Sequence, residues 1–178
     1  MRLFSLFLFA LFASAPATAS AAEPLTVGLG LEHARLGVFV DDGAGDAARI
    51  ETAFGAPTRT VRESEWNCTK RWRGLGLTAD FVVFDDDAGN PCRTGLFNRA
   101  VVTTRRWRTP DGVGPGVSDR RAARSSPHRC TRQLCGGVTG YGFAFHRSDC
   151  SVGRFPAVIA QTSGGRVSRL IIWKRWCE

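Results

Sequence analysis

Apolar and polar residues alternate along this chain in two rhythms, one of helical period and one of strand period. Over Asp46–Phe54 the apolar side chains Ala47, Ile50, Ala53 and Phe54 fall on one helical face. This predicts a short amphipathic helix with Asp46 as N-cap, stopped by Gly55 and Pro57. Leu75–Phe84 reads as a strand, broken by the acidic turn Asp85–Pro91, and Ala100–Trp107 reads as another. The order then recurs. Gly116–Arg124 predicts a second helix whose apolar face is thin (Val117, Ala122, Ala123), ending at Ser126-Pro127. Gly137–Phe145 is a glycine-rich, weaker strand. Phe155–Gln161 and Val167–Trp173 form a hairpin around Ser163-Gly164-Gly165.

The recurrence predicts two alike modules of α+β class, over residues 36–109 and 110–178, each a short helical element packed on an antiparallel sheet. Gly112-Val113 answers Gly37-Val38, Cys130 answers Cys68, and Arg99–Trp107 aligns with Arg166–Trp173.

Residues Met1 to Ala21 read as an export signal. Arg2 supplies the positive start, Leu3–Phe12 an apolar stretch too short to span a bilayer, and Ala17-Thr18-Ala19 or Ala19-Ser20-Ala21 the small-residue cut. The style is bacterial, and the expected location is secreted or periplasmic. Residues 22–35 are expected to be a flexible lead-in. Cys68, Cys92, Cys130, Cys135, Cys150 and Cys177 all follow the signal, and an even count in an exported chain predicts disulfides. Their pairing is open. Asn67-Cys68-Thr69 is formally a glycosylation acceptor, but the bacterial leader argues against its use.

The order helix, Cys, strand, Cys, strand in each half resembles the tandem-repeat domains of the β-lactamase inhibitory protein type, related to the small outer-membrane assembly lipoproteins of the SmpA/OmlA group. The residues that carry it are Ala53-Phe54-Gly55-Ala56-Pro57, its shadow from Gly116-Val117-Ser118 to Pro127, and the hairpin Gly165-Arg166-Val167. The resemblance implies a protein that binds other proteins across a concave sheet without catalysis. Inhibition of a β-lactamase rests on the resemblance alone. The polar, Arg-rich second helix departs from that pattern.

Charge adds a second reading. The chain carries +8 overall, with residues 23–92 at a net −5 and residues 93–178 at a net +12. A polar molecule of this kind is steered toward anionic partners. The alternative function is therefore binding of an anionic cell-wall polymer, or another polyanion, through the basic C-terminal half. No nucleic-acid module is recognisable, which argues against DNA or RNA.

Signals of chemistry are few. No Gly-x-Ser-x-Gly elbow, phosphate loop or dinucleotide fingerprint occurs. The candidate imidazole bases are His33, His128 and His146, with no partner at a telling spacing. His128, Cys130, Cys135, His146 and Cys150 are zinc-ligand types, but oxidation to disulfides is the stronger expectation. The turn Asp85-x-Asp87-x-Gly89-Asn90 lacks the terminal Glu of a calcium loop, since Leu96 stands there. The expectation is a protein that is not an enzyme and uses no metal or cofactor.

Strand alternation puts Val101, Thr103, Arg105 and Trp107 on one face, and Val167, Arg169, Ile171, Trp173 and Arg175 on another. Two roles are open for the indoles. In one, Trp107 and Trp173, with Arg105, Arg169 and Arg175, occupy a free sheet face and grip a partner, since Trp and Arg are enriched among the residues that dominate interfaces. In the other, the indoles cap the core beneath the Arg stems.

Overall fold

The computed structural model describes residues 24–28, 34–84, 89–126, 128–132, 135, 137–147 and 154–174, with backbone alone at 144–147 and 154–156. The signal, Arg175, Cys150 and Cys177 lie outside the described residues, as does most of the acidic turn at 85–88.

In chain order the elements are β1 (Leu25–Gly28), β2 (Arg35–Leu36), β3 (Phe39–Val40), α1 (Asp46–Phe54), β4 (Arg59–Arg62), β5 (Asn67–Trp72), β6 (Leu77–Val82), α2 (Pro91–Thr94), β7 (Leu96–Val102), β8 (Trp107–Arg108), α3 (Asp119–Ser125), β9 (His128–Cys130), β10 (Gly140–Arg147), β11 (Arg154–Ser163) and β12 (Arg166–Trp173). The class is α+β. An eight-stranded sheet runs in the order β4-β5-β6-β7-β12-β11-β10-β9, every neighbour antiparallel. It consists of two four-strand meanders, one after α1 and one after α3, that meet where β7 pairs with β12. A small sheet, β3-β2-β1-β8, lies apart from it in the hydrogen-bonding order.

Two correspondences read from the sequence do not hold. The strand expected over Ala100–Trp107 leaves the large sheet at Val102, and Trp107 belongs to β8, parallel to β1. Cys68 sits in the second strand of its meander, whereas Cys130 sits in the first strand of the other. The lead-in also differs from expectation. Leu25–Gly28 is a strand held between β2 and β8, and Val27 is fully buried.

One face of the large sheet builds the main core. Alternate residues point inward, Cys68, Lys70 and Trp72 on β5, Leu77, Ala79 and Phe81 on β6 and Leu170 and Ile172 on β12, while on β7 a register shift separates Phe97 from Ala100 and Val102. Ala47 and Ile50 of α1 and Val27, Leu36 and Phe39 of the small sheet belong to the same cluster. Asp46 is the first helical residue rather than the cap, which is Gly45 at φ 82°. Its buried carboxylate accepts from the backbone N–H of Phe97 at 3.0 Å and of Asp42 at 3.1 Å, and pairs with Arg49 at 3.0 Å. This pins α1 to β7. A lone buried carboxylate would be costly, and these donors offset that cost.

Both lysines of the chain are spent internally. Lys70 is buried over the Phe81 ring and donates to Ala47 O and, at 2.5 Å, to Glu51 Oε1. Lys174 pairs with the buried Asp41, tying the end of β12 to the loop after β3. Disulfides join Cys68 to Cys92 and Cys130 to Cys135, with Cα atoms 5.1 and 5.7 Å apart. The first closes a 24-residue separation, worth about 3 kcal/mol by loop closure. It draws α2, capped by the Asn90 side chain, onto β5.

α3 has only Ala122 fully buried, as its thin apolar face requires. A polar contact compensates: Tyr141 of β10 hydrogen-bonds Asp119 at the start of α3. Burial, and then that carboxylate, raise the Tyr141 hydroxyl above its ordinary value of 10.0, opposed by Arg129. The native state thus holds this proton more tightly than the unfolded chain, so stability is lost as pH rises above 10.0. Tyr141 is the only tyrosine. Phenolate absorbance should therefore give a single midpoint above 10.0 in native protein, falling to about 10 in urea. A native midpoint at or below the unfolded one contradicts this packing.

Candidate binding face of the sheet

The second face of the large sheet is built by the residues that alternate with the core. Strand register aligns Val61, Thr69, Asp80, Arg99 and Trp173 in one row across β4, β5, β6, β7 and β12. The next row runs through Arg59, Arg71, Thr78, Val101, Ile171, Ile159, Gly142 and His128, crossing all eight strands.

The two ends of this face differ. Toward β11, Ile159 and Ile171 are buried with the bridged Cys130 and Cys135, and Val138 packs on them. Toward β5, β6 and β7 the row is polar and accessible. Thr69 Oγ1 donates to Asp80 Oδ1 at 2.9 Å, and Arg99 Nε donates to Asp80 Oδ2 at 3.2 Å. Arg169 Nε donates to Gln161 Oε1 at 2.6 Å. Pairs of this kind on half-exposed side chains add little stability but hold the guanidinium planes in place.

Two shallow hollows lie here and share Arg99. One, of about 470 Å3, is lined by Arg71, Arg73, Thr78, Arg99, Val101, Thr103 and Arg169, among others. The other, of about 610 Å3, is bounded by Glu63, Asn67, Thr69, Asp80, Asn98, Arg99 and Trp173, among others. Among the described residues, the first holds four guanidiniums and no carboxylate. Val101 supplies an apolar side chain between the cations.

The residues expected at a binding face separate. Trp173 and Arg169 are on it, Trp173 half-buried beside Arg99. Trp107 is not. It is fully buried on the helix side, its Nε1 donating to Leu75 O at 2.8 Å and its ring 5.9 Å from Phe54. The alternation broke because Thr103 and Thr104 bond back to Gly76 and Leu75, and the turn that follows re-aims Trp107. Arg105 is exposed on that turn, off the sheet. Arg71, Arg73 and Arg99 were not singled out from sequence. On β5 the signal was obscured by Lys70, a polar residue at a core position.

Little points to chemistry among the described residues. Cys130 and Cys135 bond each other, so neither offers a thiolate. His128 lies at the outer strand of the sheet, the His146 side chain is not among those described, and His33 lies outside the described residues. No group of three or more His, Cys, Asp or Glu among the described residues could hold a metal ion. No described helix is long and apolar enough to cross a membrane. Comparison with family models, curated proteins and solved structures returned no match.

The two indoles should respond unequally to truncation. Trp107→Ala should cost about 3–5 kcal/mol in urea unfolding, and Trp173→Ala about 1 kcal/mol. Equal losses would contradict the placement of these residues on opposite faces.

Proposed function

We propose that this chain is an exported, non-catalytic binding protein whose open sheet face takes up an acidic segment of an extracellular or envelope protein. The observation that carries the reading is the hollow holding Arg71, Arg73, Arg99 and Arg169, with no carboxylate among its described lining residues. Among the described residues, only Arg99 of the four meets an acid, Asp80. Arginine suits this task because its planar fork matches a carboxylate and its charge persists when partly desolvated. Trp173 and Val101 beside the cations supply the apolar contact that interfaces concentrate near their centre. The disulfides fit an oxidising compartment.

Two further features support the reading. A helix precedes each meander, in keeping with duplication of one module. The resemblance to the β-lactamase inhibitory type also implies a sheet that grips a protein, with an enzyme as one class of target. The rival, an anionic polymer bound through the basic C-terminal half, accounts less well for this hollow. Arg71 and Arg73 come from the acidic half of the chain, and folding alone brings them to Arg99 and Arg169.

Immobilised protein exposed to secreted and envelope fractions should capture a discrete acidic protein saturably. The double change Arg71→Glu and Arg169→Glu should weaken that capture about tenfold or more, while Arg124→Glu on the exposed side of α3 should not. Capture unaffected by the double change contradicts the proposal.

A further inference from the structure

A second cationic feature lies away from the open face, on the connection between β8 and α3. Residues 112–116 read Gly-Val-Gly-Pro-Gly, and a guanidinium rests on each glycine. A Cβ placed on Gly112 would lie 3.2 Å from Arg121 Nη2, one on Gly114 2.7 Å from Arg108 Nη1, and one on Gly116 2.9 Å from Arg105 Nε. Three cations, two from the segment around β8 and one from α3, thus converge on five residues of backbone.

That backbone is fixed. Thr109 N–H donates to Val113 O at 2.7 Å, Val113 N–H to Thr109 Oγ1 at 3.1 Å, and Gly116 N–H to Val167 O at 2.8 Å. Val113, Gly114 and Pro115 are buried. Arg108 is fixed as well, Nη1 donating to Trp107 O at 2.8 Å and Pro115 O at 3.3 Å. Arg166 Nη1 donates to Gly116 O at 2.9 Å and brings a fourth guanidinium to the end of the loop.

The gathering is electrostatically unfavourable by itself. Burial first, and then the fields of Arg105 and Arg121, lower the Arg108 pKa. Among the described residues no carboxylate forms an ion pair with any of the three. Asp119, the nearest acid in sequence to Arg121, is engaged by Tyr141. A built cluster of like charges over close-approach glycines suits an anion that meets several guanidiniums at once.

We propose that Arg105, Arg108 and Arg121 form a binding site for a phosphate group. A phosphate offers several strong acceptor oxygens and more than one negative charge, against a fork that is already set. The group can come from free phosphate or from a phospholipid headgroup. The site is independent of the open sheet face, and its failure would leave that reading where it stands.

The test uses the mature protein at constant ionic strength, with inorganic phosphate in one arm and phosphatidylglycerol vesicles in the other. Side-chain guanidinium NMR signals should shift saturably with phosphate. Arg105→Gln and Arg121→Gln, both at exposed positions, should each weaken binding about tenfold, and Arg124→Gln should leave it unchanged. Co-sedimentation with phosphatidylglycerol but not phosphatidylcholine vesicles, lost in the same variants, assigns the phosphate to a headgroup. Saturable phosphate binding without vesicle binding assigns it to a free anion. Shifts that do not saturate, that chloride reproduces, or that persist in Arg105→Gln and Arg121→Gln overturn the proposal.

Discussion

The structure depends on the antiparallel seam between β7 and β12, where Val102 faces Leu170, Val101 faces Ile171, Ala100 faces Ile172 and Arg99 faces Trp173. Without that ladder there would be two four-strand meanders, each small and each with a free edge, which is a liability in water. With it there is one sheet. Ala100, Val102, Leu170 and Ile172 at the seam are buried against the same core that α1 and the small sheet cover. The other side of the seam carries Arg99, Val101, Arg169 and Trp173, so the candidate binding face exists only because the meanders are joined.

A division of labour between the two cation types follows from the packing. Lys70 and Lys174 each end against a carboxylate, Lys70 against the half-exposed Glu51 of α1 and Lys174, at the end of β12, against the buried Asp41. The cations that line the open face and the glycine loop are all arginine. Lysine suits an internal point contact on a flexible stem, while arginine stays charged and offers a rigid fork at the surface. These pairs are specific attachments of helix and loop to sheet rather than a large source of stability. The bulk of the driving force is apolar burial across one sheet face.

Legibility in the sequence tracked how local the determining contacts are. α1 was readable to its ends because its apolar spacing and its Gly-x-Pro stop lie within a dozen residues, although Asp46 turned out to serve β7 rather than cap the helix. β6 and the β11–β12 hairpin were readable for the same reason. β1 was not, because one of its partners, β8, lies about eighty residues away, and Val27 is buried only in the assembled core. β5 was hidden by Lys70, whose core position makes sense only with Glu51 and Ala47 beside it. At the site, Arg169 and Trp173 were visible on a long regular strand. Trp107 misled because alternation was carried through a turn, and Arg71 and Arg99 come together only across paired strands.

Hydrogen exchange at the amides of β7 and β12 tests most directly whether the two meanders form one unit. If the seam holds the sheet together, those amides exchange only with global unfolding, at the same free energy as the centres of β6 and β11. Seam amides that exchange well before the meander centres would mean two separately stable halves, and a face shared across β7 and β12 would then have no fixed geometry.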